Sequence, residues 1–278
     1  MKQILLLLTI LFISCAEVQT DKPKIKLYVF DCGENNVKDI SIFSPGFDKG
    51  VQKTLVARCY LISHPQGLLM WDTGLSDSIS NKPDGLSVRN GVFTLSVKKT
   101  LSSQLKELKI DPQSIDYLAF SHMHPDHSGN ANLFKNSKVL LQSKEFEAAF
   151  GSNPKKYSFN KQLYSEIQIK NIIKLNDDYD VFGDGSVKII KTPGHTPGHQ
   201  SLYIDLPKTG KIVLSGDLYH FQKNRTYKRV PSFNFDKEMT KRSMDKLEAF
   251  LVKNKATLWI QHDPDQAKTI KLSPAYYE

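Results

Sequence analysis

Residues 122–127 place the strongest limit on how this chain can fold, because they hold three histidines and one aspartate in six positions. They follow directly after the apolar run at residues 115–120, which predicts a buried strand. Imidazole and carboxylate groups suit Zn²⁺ and related metals, and alternate side chains at a strand end can turn toward one point. The whole chain has only eight histidines, so a chance cluster in a surface loop is a poor explanation. We therefore expect the fold to bring further ligands to the end of this strand.

The spacing inside this segment divides its ligands into two pairs. His122 and His124 are two residues apart and share one side of the chain. Asp126 and His127 lie beyond Pro125, which forces a bend. The four side chains can therefore serve two neighbouring metals, and the sequence predicts a dinuclear hydrolytic centre. Since the three cysteines show no Cys-x-x-Cys spacing, we expect the remaining ligands to be histidine or carboxylate.

Three more candidate ligands each stand just after a strand-like run. They are His195, Asp217 and His262. Prolines and glycines rigidify the turn around His195, and side chains at strand ends on one side of a sheet converge. Each of these residues alone is more typical of a cap, a turn or a packed core. Together with residues 122–127 they indicate one complete metal site.

Residues 21–278 are predicted to form a single domain of the α/β class, since no linker, low-complexity tract or repeat divides them. Apolar or alternating runs predict strands at residues 25–30, 54–63, 67–71, 115–120, 138–142, 187–192, 200–205, 211–214 and 256–261. Apolar stripes at steps of three to four residues predict helices at residues 97–108 and 239–251. This mixture predicts sheets that are covered by helices in layers.

Residues 1–20 are predicted to be a secretory signal peptide. A positive start precedes the apolar stretch at residues 4–13, which is too short to span a membrane. Because Ser14-Cys15 resembles a bacterial lipoprotein processing site, we expect a lipid on Cys15 to attach the protein to a membrane. The expected location is secreted or periplasmic in a bacterium, with the lipid as an anchor. In such an oxidising compartment Cys32 and Cys59 can form a disulfide, although two buried free thiols fit their apolar surroundings equally well.

The net charge of +9 comes from scattered basic residues. The densest basic run, at residues 223–229, is short enough to be a solvated loop, so we expect no nucleic-acid partner. Attraction to an anionic cell surface is the expected effect of the charge. The sequence carries no indication of the oligomeric state.

Taken in order, the candidate ligands resemble the metal-binding motif of the metallo-β-lactamase superfamily, and the similarity covers nearly all of residues 21–278. The segment Trp71-Asp72-Thr73-Gly74 also looks like a turn that precedes this motif in the superfamily. The resemblance implies a four-layer αββα sandwich with two Zn²⁺ ions at one edge of its two sheets. Other divalent transition metals suit the same ligands.

By the same resemblance, the ligands are assigned to individual metals. One zinc is expected on His122, His124 and His195, and the other on Asp126, His127 and His262, with Asp217 bridging the two. Asp72 is expected to orient the metal-binding loop without binding a metal itself. His199 is expected to support a ligand or to be an ordinary structural residue.

Within the superfamily, residues 26–33, 71–75 and 104–108 look like N-acyl homoserine lactone lactonases, the quorum-quenching enzymes. One position departs from that pattern, because those enzymes usually have a tyrosine three residues after the bridging aspartate, where this chain has His220. One competing interpretation is another hydrolase of the same fold, such as a thioesterase, a phosphodiesterase or a β-lactamase-like enzyme. Another is a zinc-binding surface lipoprotein without catalysis.

The lactonase interpretation implies that a hydroxide shared by the metals, with its pKa lowered toward about 7, attacks the ring carbonyl. The expected catalytic residues are Asp126, Asp217 and His220, with Asp217 carrying a proton to the departing ring oxygen. His220 can assist that transfer, donate a hydrogen bond to the lactone carbonyl, or simply pack. The acyl chain needs an apolar groove, and its candidate side chains are Leu86, Val88, Val92, Phe93, Phe146, Phe150 and Tyr219.

Overall fold

The computed structural model describes residues 23–278, so the predicted signal segment and Cys15 lie outside the described residues. The strands are β1 (Lys26–Val37), β2 (Lys53–His64), β3 (Gly67–Trp71), β4 (Leu86–Val88), β5 (Phe93–Ser96), β6 (Tyr117–Ala119), β7 (Lys138–Gln142), β8 (Ile172–Leu175), β9 (Tyr179–Asp180), β10 (Val187–Lys191), β11 (Gln200–Leu206), β12 (Gly210–Leu214), β13 (Thr257–Trp259) and β14 (Tyr276–Tyr277). The α-helices are α1 (Leu101–Glu107), α2 (Pro125–Ser128), α3 (Ser143–Phe150), α4 (Gln222–Tyr227), α5 (Lys237–Asn254) and α6 (Pro264–Ala267). Short 3₁₀ helices occupy Ile40–Phe43, Asp77–Asn81, Pro112–Ser114, Ala131–Phe134, Pro154–Tyr157, Lys161–Tyr164, Ile169–Asn171 and Gly216–Leu218.

The strands form two sheets. The first has the order β4-β5-β1-β2-β3-β6-β7-β8, and β14 pairs with the beginning of β1. The second has the order β13-β12-β11-β10-β9. The pairs β3–β6 and β12–β13 are parallel, so the carboxyl ends of both strands in each pair lie at the same edge of their sheet. Turns that follow these strands are therefore neighbours in space.

Alternation along the strands sorts side chains between three apolar layers. In β2, Tyr60 and Ile62 pack in the core between the two sheets, whereas Leu61 packs on the outer face of the first sheet. In β11, Leu202 faces the core between the sheets, whereas Tyr203 packs on the outer face of the second sheet. The two sheets thus share one core, and each outer face needs a helical cover.

Helices supply those covers. In α1, Leu101 and Leu105 pack on the outer face of the first sheet, as does Ala149 of α3. In α5, Met244 and Leu247 pack on the outer face of the second sheet. The predicted α/β class and the four-layer αββα arrangement are confirmed. Within residues 23–278 no helix is both long and apolar enough to cross a bilayer.

The structure also corrects several predicted boundaries. β1 continues to Val37 through a polar stretch, because β2 and β5 both pair with it there and hold it extended. α1 begins only at Leu101, since the side chain of Thr100 caps it by accepting a hydrogen bond from the backbone N–H of Ser103 at 3.2 Å. The predicted helix starting at residue 97 was therefore too long at its beginning. The hairpin of β4 and β5, together with α3, had no strong periodic signal and was not predicted.

Cys32 and Cys59 form a disulfide between β1 and β2, which answers the question that the sequence left open. The bond lies against the turn that leads out of β3. Gly74 in that turn has a φ of +64°, and a Cβ there would lie 2.2 Å from Cβ of Cys32. Only glycine fits this position, because any side chain would collide with the strand beside it.

Candidate metal centre

The candidate ligands stand at the ends of four strands on one edge of the sandwich. Residues 121–127 follow β6, His195 follows β10, Asp217 follows β12 and His262 follows β13. Parallel pairing places Leu214 beside Trp259 at the ends of β12 and β13, so the turns carrying Asp217 and His262 are adjacent. The convergence predicted from strand ends is therefore what the topology produces.

Residues 122–127 divide into two pairs of candidate ligands because the backbone changes conformation at Pro125. His124 is still extended, with φ −64° and ψ 154°, and Pro125 is the first residue of α2. Proline suits this position because its fixed φ is already helical and the first helical N–H needs no partner. His122 and His124 therefore leave the chain from an extended segment, whereas Asp126 and His127 leave it from a helical turn.

The ligand atoms form two groups, in each of which they all lie within 4.8 Å of one another. The first group consists of His122, His124, His195 and Asp217, and the second of Asp126, His127 and His262. In the first group, Nδ1 of His124 lies 2.7 Å from Nε2 of His122 and 3.2 Å from Nε2 of His195. In the second, Nε2 of His262 lies 3.2 Å from Nε2 of His127 and 3.8 Å from Oδ2 of Asp126.

Asp217 reaches both groups with different oxygens. Its Oδ2 lies 3.3 Å from Nε2 of His195 and 3.7 Å from Nε2 of His122. Its Oδ1 lies 3.1 Å from Nε2 of His127 and 3.0 Å from Nε2 of His262. One carboxylate therefore faces two sets of nitrogen donors, which is the geometry that a bridging ligand requires.

Each imidazole has one nitrogen that points away from the centre. The hydrogen bond of that nitrogen decides whether the other nitrogen faces the centre with a lone pair. Nε2 of His124 donates to the carbonyl oxygen of Tyr157 at 3.0 Å, because a carbonyl can only accept. Nδ1 of His195 is 2.9 Å from the amide oxygen of Asn234, which likewise accepts. In the neutral rings, Nδ1 of His124 and Nε2 of His195 therefore carry lone pairs, and these two atoms face each other. Two such lone pairs repel unless a cation lies between them, so this donor set fits a divalent metal.

The second group is held in the same way. Nδ1 of His262 donates to the carbonyl oxygen of Val56 at 2.6 Å. Nδ1 of His127 lies 2.9 Å from Oδ2 of Asp72, a fully buried carboxylate that also accepts from the backbone N–H and the hydroxyl of Ser121. Oδ1 of Asp217, which this group faces, is buried and accepts no well-formed hydrogen bond from any described residue. An acceptor in that position also fits a bound cation.

Asp72 is not among the grouped candidate ligands, but its carboxylate contacts the loop that carries several of them. Its φ of +55° is unusual for aspartate and turns the chain sharply after β3. The turn directs the carboxylate at Ser121 and His127, on the two sides of the metal-binding loop. The sequence-based role of orienting that loop matches this placement.

His199 supports Asp217. Its Nδ1 donates to the carbonyl oxygen of Thr192 at 2.9 Å, and its Nε2 accepts from the backbone N–H of Asp217 at 2.9 Å. Burial lowers the pKa of His199 to about 3, so the ring stays neutral and keeps the acceptor that Asp217 needs. His199 therefore fixes the turn that presents the Asp217 carboxylate.

Buried charges at the centre shift the pKa values of the ligands in opposite directions. Burial lowers the pKa of His124 to about 3. Burial would also lower the pKa of His127, but the carboxylates of Asp217 and Asp72 outweigh it and raise that pKa well above its usual value. Burial would raise the pKa of Asp217, yet the imidazoles around it hold that pKa well below its usual value. The carboxylate is therefore ionised, as a metal ligand must be.

His220 stands beside the centre, on the wall of a cleft. Its Nε2 lies 3.1 Å from Oδ2 of Asp217, and its ring centroid lies 4.5 Å from that of Phe43. Burial, opposed by the Asp217 carboxylate, lowers the pKa of His220 to about 4. Since a carboxylate oxygen only accepts, the proton of neutral His220 lies on Nε2, and Nδ1 is an acceptor with no partner among the described residues. The ring thus cannot donate from Nδ1 to a lactone carbonyl.

An apolar cleft of about 430 Å³ opens onto the centre. His124, Asp126, Asp217, His220 and His262 form its polar end. The remaining wall is mainly apolar and includes Phe43, Leu75, Ile79, Leu86, Phe93 and Phe233. Of the predicted acyl-chain residues, Leu86, Val88 and Phe93 line this cleft because the hairpin of β4 and β5 folds over it.

Other residues predicted for the acyl-chain groove lie elsewhere, and the structure corrects them. Phe146 and Phe150 stack on each other along α3, with ring centroids 5.2 Å apart, and Phe150 packs on the outer face of the first sheet. Tyr219 is buried under α5, where its hydroxyl donates to Glu248 at 2.9 Å. Val92 is not part of the cleft wall. Apolar character alone did not distinguish these core positions from the cleft.

Three supporting residues were missed because nothing in their local sequence marks them. Asn35 donates to Oδ2 of Asp126 at 2.8 Å, and Asn234 accepts from His195. Glu145 is almost fully buried beside the metal-binding loop. Asn35 stands in the polar part of β1, Asn234 in a loop and Glu145 in α3, so they share no sequence signal.

Comparison with known proteins agrees with this geometry. The family model of the metallo-beta-lactamase superfamily matches residues 54–253, and the chain therefore belongs to that superfamily. Taken together, the fold, the grouped ligands and the relatives make the protein a metal-dependent hydrolase.

The relatives are more specific than the superfamily. The chain is 31% identical over 264 residues to the N-acyl homoserine lactonase AttM of Rhizobium radiobacter, covering 91% of this chain and 98% of that protein. It is 30% identical over 263 residues to the N-acyl homoserine lactonase AiiA of Bacillus thuringiensis subsp. kurstaki, covering 90% and 98%. A solved N-acyl homoserine lactone hydrolase, with N-hexanoyl-L-homoserine bound as product at its catalytic metal centre, superposes with a TM-score of 0.79 at 28% identity, covering 90% of this chain and 98% of that one.

Proposed function

We propose that the protein opens the lactone ring of N-acyl homoserine lactones by hydrolysis, using two Zn²⁺ ions. The observation that carries the proposal is the placement of Asp217, whose two oxygens face separate groups of histidine donors at the polar end of an apolar cleft. The similarity to lactonases over about nine-tenths of the chain supports the choice of substrate. The first metal would lie on His122, His124 and His195, and the second on Asp126, His127 and His262.

When bound, such a pair of metals lowers the pKa of a shared water toward about 7 and polarises the carbonyl that the resulting hydroxide attacks. The hydrolysis adds the water oxygen to the ring carbonyl carbon, breaks the bond from that carbon to the ring oxygen, and yields a carboxylate and an alcohol. The alcohol needs a proton on the former ring oxygen. The protein must therefore carry a proton from the attacking water to the leaving oxygen.

Asp217 and His220 are the groups placed to move that proton. Oδ2 of Asp217 and Nε2 of His220 lie 3.1 Å apart, at the wall of the cleft. Asp217 can accept a proton from the attacking water and release it to the ring oxygen. His220 holds Oδ2 through its Nε2 proton, while its Nδ1 offers an acceptor to the substrate amide or to water. Asn35 steadies Asp126 at the opposite side of the opening.

The apolar part of the cleft would hold the acyl chain. Phe93 and Phe233 stand on its wall with Phe43, whose ring centroid lies 6.3 Å from that of Phe93 and 5.5 Å from that of Phe233. Each methylene that leaves water for such a wall contributes about 0.8 kcal/mol. A cleft of this kind favours substrates with an alkyl chain over short or charged esters.

Hydrolysis of a thioester, a phosphodiester or a β-lactam on the same metals is the main competing function, since the fold alone decides no substrate. The purified protein should be assayed against a homoserine lactone with a hexanoyl chain, a glutathione thioester, a bis-aryl phosphodiester and a β-lactam, together with elemental analysis. We expect the lactone to be opened with the highest kcat/KM and two zinc ions per chain. A faster reaction with any of the other three would overturn the choice of substrate, and a metal-loaded protein inactive on all four would favour a binding protein.

We also propose that the protein works outside the cytoplasm, anchored through a lipid on Cys15. The Cys32–Cys59 disulfide supports an oxidising compartment, where such bonds persist. Cell fractionation of the wild type and of Cys15→Ser tests the anchor. The wild type should sediment with membranes and the variant should not; identical fractionation of the two would contradict the anchor.

A further inference from the structure

Glu145 connects the two loops that carry the first group of histidines. We propose that Glu145 is a positioning residue that sets the distance between the loop of His122 and His124 and the loop of His195, and thereby the affinity of one of the two metals. The inference rests on the proposed two-metal centre. It assigns a role to a carboxylate that is neither among the grouped ligands nor on the wall of the cleft.

The hydrogen bonds of Glu145 run to both loops. Its Oε1 accepts from the backbone N–H of Met123, the residue between His122 and His124, at 2.9 Å. Its Oε2 accepts from the hydroxyl of Thr196, next to His195, at 2.8 Å, and from the backbone N–H of Gly198 at 2.8 Å. One carboxylate therefore joins the two loops, since Oε1 accepts from the first loop and Oε2 accepts from the second.

The surroundings leave no substitute for these bonds. Glu145 is 1% exposed, and Thr196 is 2% exposed. A Cβ at Gly198 would lie 2.3 Å from the backbone nitrogen of Glu145, so the second loop presses directly on the start of α3. Water cannot replace a hydrogen bond lost in such a dry contact, and the donors left unpaired would move apart to find partners.

The effect should be confined to one metal. Thr196 and Gly198 belong to the His195 loop, and Met123 lies between His122 and His124. The second group has separate supports, because Asp126 is held by Asn35, His127 by Asp72 and His262 by Val56. Loss of a residue that orients metal ligands usually weakens metal binding by about 10- to 100-fold. A displaced His195 loop would weaken the first site and leave the second close to its original affinity.

Glu145→Gln tests this because it keeps the size of the side chain. The amide has one oxygen and one NH₂, so its NH₂ group must face a backbone N–H, either of Met123 or of Gly198, donor against donor. Glu147→Gln is the matched control, since Glu147 lies on the same helix with its side chain 59% exposed and paired with the neighbouring Lys144. Metal-free protein of each form should be titrated with Co²⁺, followed by the visible absorption of the bound ion and by competition with a chelator.

We expect the wild type and Glu147→Gln to bind two equivalents, and Glu145→Gln to bind one equivalent about 10- to 100-fold more weakly, with the other changed less than about threefold. Two equivalents bound as in the wild type would overturn the proposal, and so would an equal weakening of both, which indicates general loss of structure. A wild type that binds only one equivalent would instead contradict the two-metal centre itself.

Thr196 provides a second test if Glu145→Gln fails to fold. Thr196→Val removes one hydrogen bond to Glu145 and should weaken one equivalent by about five- to tenfold, which is the net contribution of one ordinary hydrogen bond. Thr196→Ser keeps the hydroxyl and should restore binding. Equal metal affinity in the valine and serine variants would overturn the positioning role.

Discussion

Nε2 of His220 lies 3.1 Å from Oδ2 of Asp217, so a buried imidazole and the carboxylate that faces both groups of histidines form a hydrogen-bonded pair. The pair stands where the polar end of the cleft meets its apolar wall. A change at His220 therefore acts on the same oxygen that faces His195, without removing a residue from either ligand group. Because His220 is not in either ligand group, replacing it tests proton transfer more selectively than replacing Asp217 does.

Replacing His220 with alanine should lower kcat by about 10- to 100-fold, because Asp217 loses the donor that holds its Oδ2 and the site loses an acceptor. Steady-state kinetics with a hexanoyl homoserine lactone, together with metal analysis of the variant, measures this. The metal content should stay at the wild-type value. A kcat within about twofold of the wild type would remove His220 from the catalytic residues.

Replacing Asp217 with asparagine should lower kcat by at least about 100-fold while leaving the fold intact, since an amide can neither bridge two cations as an anion nor accept the transferred proton. Circular dichroism and thermal unfolding of the metal-free form provide the control for folding. Near-normal turnover by a correctly folded Asp217→Asn would mean that another group carries the proton.

Replacing Phe93 with alanine should shift the preference between acyl chains. The cleft loses an aromatic wall that a decanoyl chain would contact and a butanoyl chain would hardly reach, so the ratio of kcat/KM for decanoyl over butanoyl substrates should fall by about tenfold. Phe146→Ala is the control, because Phe146 lies on α3 away from the cleft. A similar shift in both variants would contradict the assignment of the cleft wall.

Removal of the metals should lower the thermal unfolding midpoint. Lone pairs of buried imidazoles and the ionised Asp217 face one another at the centre, and a cation that binds only the folded state stabilises it by mass action. Dialysis against a chelator, followed by differential scanning calorimetry with and without added Zn²⁺, measures the change. An unchanged midpoint after complete removal would indicate that the donors need no cation to stay together.

Stability should also depend on Glu248 of α5, which is not among the grouped candidate ligands. Nε and Nη2 of Arg225 donate to the carboxylate of Glu248, at 2.8 and 2.9 Å, and these bonds lower the pKa of Glu248. Because the pKa is lower in the folded than in the unfolded state, the stabilisation is complete above the unfolded pKa and is lost as the pH falls through the folded pKa.

Glu248→Gln should therefore lower the free energy of unfolding at pH 7 by about 1 kcal/mol, a modest value because the pair is partly exposed to solvent. Urea unfolding across pH 3 to 7 should show the difference from the wild type shrinking as the solution becomes more acidic. A difference that grows toward low pH would have the wrong sign for this ion pair.

The candidate ligands could be predicted from the sequence because each is a histidine or aspartate that stands shortly after a strand, and strand ends meet at one edge. His195, Asp217 and His262 all follow this rule. The cleft could not be predicted to the same degree. Phe93 and Phe146 are equally apolar in sequence, and only the pairing of β4 with β5 and the packing of α3 decide which one meets a ligand.

Supporting residues escaped prediction for a different reason. Asn35, Asn234 and Glu145 act through partners that lie 91, 39 and 22 or more positions away in the chain, so their neighbours in sequence give no sign of the contact. A buried polar side chain is recognised by what surrounds it in space. His199 was an intermediate case, since its position in a Pro-Gly turn suggested a role but not the bond to Asp217.

The parallel pairing of β13 with β12 has a consequence for the order in which the centre is assembled. The donors from residues 122–127 belong to the first half of the chain, whereas His262 reaches them only after β13 has joined the end of the second sheet. A newly made chain therefore holds an incomplete set of these donors until β13, the last strand of that sheet in chain order, is in place. In the proposed two-metal centre, binding of the second metal would therefore report that β13 has joined the second sheet.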